Sequence, residues 1–493
     1  MSPKKLYIDI TSFFSVDFMT GIQRVVRELV TRLLKMTEFD VTLFVWPNEK
    51  EKLSVLSNDD FLKCYDDGCL KKSQINFLEE LVIESIEPGS IFFDIDAVWN
   101  GNCHQRIDVF SKLSKQGVLI ATYIYDVIPI TNPEFFSRTV PGVGFYSYVA
   151  ANLCCADMLI TSVHATEDRL KTLANRFATP TPRCSVSWLG SDFKVKRTDS
   201  VVSQKAKDVA SRGKYVLCVG TLEPRKNHTI VLDAYEKKLS ELGVNLVFAG
   251  KRGWGVDKLL CRIDNHPKKD NGLFLLEGEN DATIDFLYKN AWVVAFPTFD
   301  EGFGLPLVEA LLNGCVCVAS DIPVMREVGE NFCDYVDPNS SELLANLFLN
   351  YLEKPEIYED CKRRSSEFKP FLWDDVAKRI KSDLLCLQKH DIIKNEIDVI
   401  NVKNCICECL EKKLYLLEDF KALPLIKEER IPKRGLRNFL KRIIRKCLRF
   451  YVSPIVRDFN RCISLQNEML QKQNCLIKDL INGISRLEDF KLS

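Results

Sequence analysis

At 493 residues, 46% hydrophobic and 28% charged, the chain exceeds what one core commonly serves, and its composition is that of two folded domains plus an accessory segment. Lys+Arg and Asp+Glu balance at 68 each, so overall charge gives no reason to expect nucleic acid, and any basic preference must be local. No stretch supplies the roughly 18 consecutive apolar residues of a membrane span, and the N-terminal apolar run is too short for a secretory signal. The 19 cysteines, several in strand-like runs (Cys218, Cys315, Cys317), fit reduced thiols, and the cytosol is the expected compartment.

In chain order, residues 6–10 read as a first strand, followed by a loop ending Thr20-Gly21-Ile22-Gln23-Arg24 and an amphipathic helix to about Met36. A glycine turn that enters a helix offers backbone donors to an anion or a sugar, which makes Gly21 a candidate binding residue. Arg24 has two readings, a phosphate contact or a surface charge of the first helical turn. Apolar runs at 41–45, 91–95, 118–125, 157–161 and 184–188 alternate with helical patterns at about 76–85, 103–115, 143–155 and 164–175. That rhythm predicts a parallel sheet covered by helices. Asp94, Asp96 and Asp126 fall at carboxyl ends of strands, where open α/β sheets bind ligands. Asp126 is the strongest of the three, and capping of the turn that follows it is the competing reading.

Residues 198–213, rich in Ser, Lys and Asp without apolar periodicity, read as a hinge. A second sheet starts at Tyr215–Val219, and Gly220-Thr221-Leu222-Glu223-Pro224-Arg225-Lys226-Asn227-His228 leads from it into a helix. Arg225 presents a fork of donors and Lys226 a compact charge, both suited to diphosphate oxygens. After further strands at 245–250 and 273–278 comes the densest stretch, the strand 292–296 followed by Pro297-Thr298-Phe299-Asp300-Glu301-Gly302-Phe303-Gly304-Leu305-Pro306-Leu307-Val308-Glu309. Pro306 suits a first helical turn and Gly314 a left-handed C-terminal cap. Gly302 and Gly304 would let the N–H groups of Phe303, Gly304 and Leu305 face an anion at the positive end of that helix. Glu309, a turn further on, suits a sugar diol, and Glu301 stands at the loop mouth, which together suggest a nucleotide-sugar site.

Glu301 and Glu309, seven residues apart within Glu-Gly-Phe-Gly-Leu-Pro-Leu-Val-Glu, resemble the E-x7-E motif of retaining GT-B glycosyltransferases of the family-four (group 1) type. Residues 319–329 and 335–338 resemble the family's next strand and turns, and the similarity runs through about residues 1–390. The resemblance implies two Rossmann-like domains facing a cleft. One is an acceptor-side domain over 1–200, completed by a crossing helix at about 373–390; the other is a nucleotide-sugar domain over 213–372. It implies donor binding by Gly21, Arg225, Lys226, Gly302, Phe303, Gly304, Leu305 and Glu309, with Glu301 and Asp126 as catalytic residues and neither metal nor other cofactor. Glu309 would hold the ribose, and the backbone of 277–280 would border the base. Two departures stand out: Tyr125 replaces the family's histidine before Asp126, and Thr221 stands where relatives carry arginine. The implied reaction is transfer with retention from a nucleotide sugar, GDP-mannose as first choice, to a surface or lipid-linked glycan. A non-catalytic scaffold of the same fold is the alternative.

Residues 391–493 carry no strand signals and read as a helical tail. Within 433–451, Leu436, Phe439, Leu440, Ile443, Ile444, Cys447, Leu448 and Tyr451 share one helical face and Lys and Arg fill the other. This basic amphipathic helix suits the anionic cytosolic face of a membrane, and docking of its apolar face onto protein remains the competing reading. Cys405-Ile406-Cys407-Glu408-Cys409 lacks metal-ligand spacing and reads as a helix face. Leu465, Met469, Leu476, Leu480 and Leu487 lie at near-heptad intervals, a weak signal for association with itself or a partner.

Overall fold

The computed structural model describes residues 2–15, 21–46, 52–65, 71–97, 106–136, 142–176, 179–192 and 201–389. The expectations for residues 396–423, 405–409, 433–451 and 462–490 lie outside the described residues. Everything described belongs to one compact unit, Met1–Lys394.

Two sheets organise it. The first is built from β1 (Lys4–Asp9), β2 (Phe39–Val45), β3 (Lys52–Leu56), β4 (Phe77–Val82), β5 (Ile91–Asp94), β6 (Leu119–Ile124), β7 (Met158–Thr161) and β8 (Arg183–Val186), in the spatial order β4-β3-β2-β1-β5-β6-β7-β8. The second contains β9 (Tyr215–Val219), β10 (Asn245–Ala249), β11 (Leu273–Leu276), β12 (Val293–Phe296), β13 (Cys317–Ser320) and β14 (Asp334–Val336), ordered β11-β10-β9-β12-β13-β14. All pairings of the second sheet are parallel. Strands β5, β6, β7, β10, β12 and β13 are buried along their whole length, as helices on both faces of a parallel sheet require.

The first sheet departs from the all-parallel expectation at one edge, where β3 pairs antiparallel with both β2 and β4. Residues 76–85, read as helical, instead supply β4 and a short helical turn at Ile83–Ser85. Phe77, Leu78, Leu81 and Val82 have helical spacing, but at a sheet edge backbone pairing with β3 decides the state and leaves Phe77 and Leu78 exposed. The hinge reading of 198–213 is likewise modified: Gln204–Ser211 is a helix, capped by Ser203 and burying Ala206 and Val209. Two alanines and one valine in eight polar-rich residues suffice for a one-turn contact face without producing a visible period.

In each sheet the chain winds outward from a central pair, β1/β5 in the first and β9/β12 in the second. Loops leaving the carboxyl ends of such a pair run to opposite sides and open a crevice between them. The carboxyl ends of the two sheets face each other, and one apolar cluster joins Ile8, Phe93, Tyr123 and Ile160 of the first to Val294, Phe296, Leu307 and Val308 of the second. A separate cluster seals the outer face of the second sheet, with Val216, Leu246 and Phe248 under Leu259, Leu344 and Phe348. The helix Trp373–Leu385 then returns to the first domain, where Asp374 pairs with Arg32 at 2.6 Å and Lys381 with Glu38 at 2.6 Å. Its anchor is Trp373, fully buried over Gly190, where a Cβ would lie 2.3 Å from the indole.

Candidate functional site

The loop after β12 and the helix Leu305–Leu312 form the centre of the site. Pro306 occupies the first helical turn as expected, and Gly304 precedes it in the left-handed region at φ 97°. That conformation favours glycine; a Cβ there would also displace the flexible end of Met325, whose Cε would lie 2.7 Å away. Gly302 answers a different need. A Cβ there would lie 2.7 Å from the Tyr125 carbonyl oxygen and 3.2 Å from Asp126 Cβ, both in the other domain. Ser162 of the first domain donates to the Gly302 carbonyl at 2.8 Å, fixing the same approach. Gly302 therefore lets the two domains touch beside Asp126. Among the described residues, the N–H groups of Phe303, Gly304 and Leu305 donate to no carbonyl or side chain, as an anion-facing helix start requires. Phe303 itself is buried, its ring edge-on to Trp188.

Because β9 and β12 are neighbours, the loop carrying Arg225 and Lys226 lies alongside the loop carrying Glu301. Both cations converge on that carboxylate: Arg225 Nη1 is 2.7 Å from Glu301 Oε2, and Lys226 Nζ pairs closely with Oε1. Arg225 also donates to the Asp300 carbonyl at 2.7 Å and pairs with Glu223 at 2.6 Å, so it is held inward. Lys226 lies 5.1 Å from the centre of the Phe296 ring. Burial alone would raise the Glu301 carboxyl, but Arg225 first and Lys226 next outweigh it and hold it below its ordinary value. Burial works against the charge on Arg225, yet Glu301 and Glu223 more than compensate and its pKa is raised.

Glu309 lies one turn along the helix, with Tyr288 donating to its Oε2 at 3.3 Å. Burial raises its pKa, and the opposing pull comes mainly from Arg24. Arg24 is not a free surface charge: it bridges the domains, reaching Glu309 at 3.1 Å with one nitrogen and Asp281 at 3.1 Å with the other. Gly21 opens the helix Gly21–Leu33 opposite Leu305, whose Cδ1 would be 3.4 Å from a Cβ on Gly21. Asp126 makes the turn cap that was its competing reading, and it lies at the domain contact. Its Oδ1 accepts the Ile128 N–H at 3.0 Å, which caps the turn, and its side chain abuts Gly302. Burial raises its pKa against the pull of Arg225.

Asp94 and Asp96 belong to a different group, buried with Asp9 and Arg106 inside the first domain. Asp96 accepts the Phe13 and Ala97 N–H groups at 2.6 and 2.7 Å. Several contacts of the site had no usable signal in the sequence. Arg169 reaches across the domains to Asp300 at 2.8 Å, and Asp300 in turn accepts the Glu301 N–H at 2.8 Å, setting the direction of the loop. Glu327 of the second domain accepts the N–H groups of His164 and Ala165, capping a helix of the first. Trp254 donates to the Phe135 carbonyl at 3.0 Å, and Phe135 stacks on Phe299 at 5.5 Å. The partners that meet across the domains are separated by more than a hundred residues, and nothing local marks them.

Comparison with known proteins accords with this geometry. Residues 202–368 match the family described as glycosyl transferases group 1. The chain is 27% identical over 397 residues to the serotype-specific mannosyltransferase WbdA of Escherichia coli, covering 77% of this chain and 45% of that protein. It is 31% identical over 143 residues to the O-antigen chain mannosyltransferase RfbU of Salmonella typhimurium, 29% of this chain and 39% of that one. The chain thus spans about half the length of the curated relatives it matches. Among solved structures it shares the fold of Anabaena HepE in complex with UDP-glucose, with TM-score 0.52 and 16% identity over 78% of this chain and 100% of that one. The catalytic domain of starch synthase IV from Arabidopsis thaliana, bound to ADP and acarbose, superposes with TM-score 0.50 and 12% identity over 78% of this chain and 99% of that one. Two facing α/β domains and a glycine loop between paired carboxylates agree with these likenesses: the chain has a GT-B fold, and its second domain, over residues 202–368, matches the group 1 glycosyl transferases.

Proposed function

We propose that this chain is a retaining glycosyltransferase that moves a hexosyl group from a nucleotide sugar, GDP-mannose in our reading, to a hydroxyl of a growing surface or lipid-linked glycan. The observation that carries the proposal is the convergence of Arg225 and Lys226 on Glu301 beside the undonated amides of 303–305. Two cations and a helix start are what a departing nucleoside diphosphate needs, and no metal ion is required to balance its charge. Arg225 and Lys226 hold the diphosphate. Glu301, tied to both, faces the donor sugar and stabilises positive charge that develops at its anomeric carbon, while Glu309 holds the ribose. The bond from anomeric carbon to phosphate oxygen breaks, and a bond to the acceptor oxygen forms on the same face. The acceptor proton passes to the leaving phosphate, and Asp126 and the Gly21 turn help to position the acceptor.

The mannosyl choice follows the names of WbdA and RfbU, and the UDP complexes of HepE make uridine the competing base. Peripheral attachment to an anionic membrane through residues 433–451 completes the proposal, on the sequence pattern of that stretch; no helix among the described residues is long and apolar enough to cross a membrane. A thermal-shift titration with GDP, UDP, dTDP and ADP without added metal tests it. A ligand at about 100 times its Kd stabilises by roughly 2.7 kcal/mol, a shift of several degrees. A selective shift identifies the donor class for a transfer assay. No shift with any nucleotide refutes the proposal and favours a non-catalytic scaffold.

A further inference from the structure

Bordered by the cation and glycine loops, the second domain holds a cavity of about 510 Å³ at the carboxyl ends of β9 and β10, lined among others by Glu223, His228, Thr229, Asp257, Lys258 and Phe299. It adjoins the site on two sides: Glu223 pairs with Arg225, and Phe299 immediately precedes Asp300. The first domain closes on the same region, where Phe135 stacks on Phe299 and receives the Trp254 N–H. Arg24, Asp281 and Glu309 belong to a separate group, on the helices that follow β1, β11 and β12.

The lining selects a class of ligand. Glu223 is already neutralised by Arg225, so Asp257 and Lys258 balance and the wall carries no net charge to draw a phosphate or nucleotide. His228 is buried with its ring edge-on to Phe248, and its Nδ1 has no hydrogen-bond partner among the described residues. Burial, then Lys226, push its pKa down to about 3, so the imidazole is neutral at physiological pH. A neutral imidazole offers one donor and one acceptor nitrogen. Together with the Thr229 hydroxyl, the carboxylates and the apolar Phe299, the wall suits a neutral polyol that both donates and accepts and carries apolar C–H faces. The volume lies within the range of small-molecule sites.

We infer that this cavity is a carbohydrate subsite that holds a sugar unit of the acceptor chain away from the reacting hydroxyl, so that affinity grows with acceptor length. The inference rests on the glycosyltransferase reading. The test is calorimetric titration of the full chain, without donor, using α-linked mannose oligosaccharides of one to four residues, on the wild type, Thr229→Trp and Asp257→Asn. Thr229 and Asp257 are exposed at the cavity wall, so neither change disturbs a core. Wild type should gain about tenfold in affinity between one and three residues, the worth of one or two hydrogen bonds. Thr229→Trp, which fills the cavity, should abolish that gain, and Asp257→Asn should reduce it. A wild type with no length-dependent gain, or a gain that survives both variants, overturns the inference. Length-dependent binding lost in Thr229→Trp without any nucleotide shift upholds the cavity and refutes the transferase; a nucleotide shift without length dependence does the reverse.

Discussion

Replacing Gly302 by alanine tests whether the domain contact beside Asp126 governs the site. The added methyl would start 2.7 Å from the Tyr125 carbonyl oxygen and 3.2 Å from Asp126 Cβ. A comfortable carbon–oxygen contact is about 3.3 Å or more, so something must move by roughly 0.6 Å. The Tyr125 carbonyl follows directly on the buried strand β6, and the Tyr125 side chain is pinned by its hydroxyl to the Ile95 carbonyl at 2.7 Å. The loop 300–304 is therefore the part that yields, and it carries Glu301 with it. Overpacking of this kind costs about 1–3 kcal/mol, which lowers Tm by roughly 2–4 °C per kcal/mol in a domain of this size. If Glu301 acts at the donor sugar as proposed, displacing its carboxylate by a sizeable fraction of an ångström should reduce kcat by ten- to a hundredfold. Gly21→Ala is the contrast, because its Cβ meets only the flexible Leu305 Cδ1 at 3.4 Å, and its Tm should stay within about 1 °C of wild type. Scanning calorimetry and transfer kinetics on both variants decide the matter. A Gly302→Ala protein with wild-type Tm and turnover would refute the reasoning.

Glu301→Gln should lower kcat by at least about a hundredfold and leave Arg225 and Lys226 without their shared counter-charge. Because the folded pKa of Glu301 lies below its ordinary 4.5, its stabilisation is complete above that value and disappears as pH falls through the depressed pKa. The Tm gap between wild type and Glu301→Gln should therefore shrink below about pH 4.5, and a gap independent of pH would count against the pairing. Asp94 behaves oppositely: burial, opposed by Arg106, raises it from 3.8 to about 7, so the penalty of ionising it grows as pH rises between those values. Asp94→Asn should flatten the decline in Tm over that interval; an unchanged slope would show that other groups dominate. Glu309→Ala should weaken nucleotide binding by about tenfold or more in the thermal-shift titration while changing kcat less, and equal affinity would remove it from the ribose. Deleting residues 431–493 should release the protein from anionic liposomes in flotation, and retention would point to another surface.

The parts legible in the sequence were those whose cause is local. Strand β12, the glycine loop and the helix Leu305–Leu312 are specified within some twenty residues by an apolar run, two glycines and Pro306, so the site's core could be read from Phe296 to Glu309. Edge strand β4 was misread for the complementary reason: its apolar spacing suits a helix, and only pairing with β3 makes it a strand. Residue types named the chemistry of Arg225, Lys226 and Glu301, but their neighbourhood depends on β9 and β12 lying side by side, a matter of sheet order. The role of Arg24 was hidden for the same reason, since its partner Glu309 lies 285 residues away. Gly302 had a visible identity and an invisible motive, because the carbonyl that forbids a side chain there belongs to Tyr125 in the other domain. Backbone preference and hydrophobic period act over a few residues and are written in order along the chain. Charge pairing and close approach act over a few ångströms in space, and only the packed fold decides which residues those are.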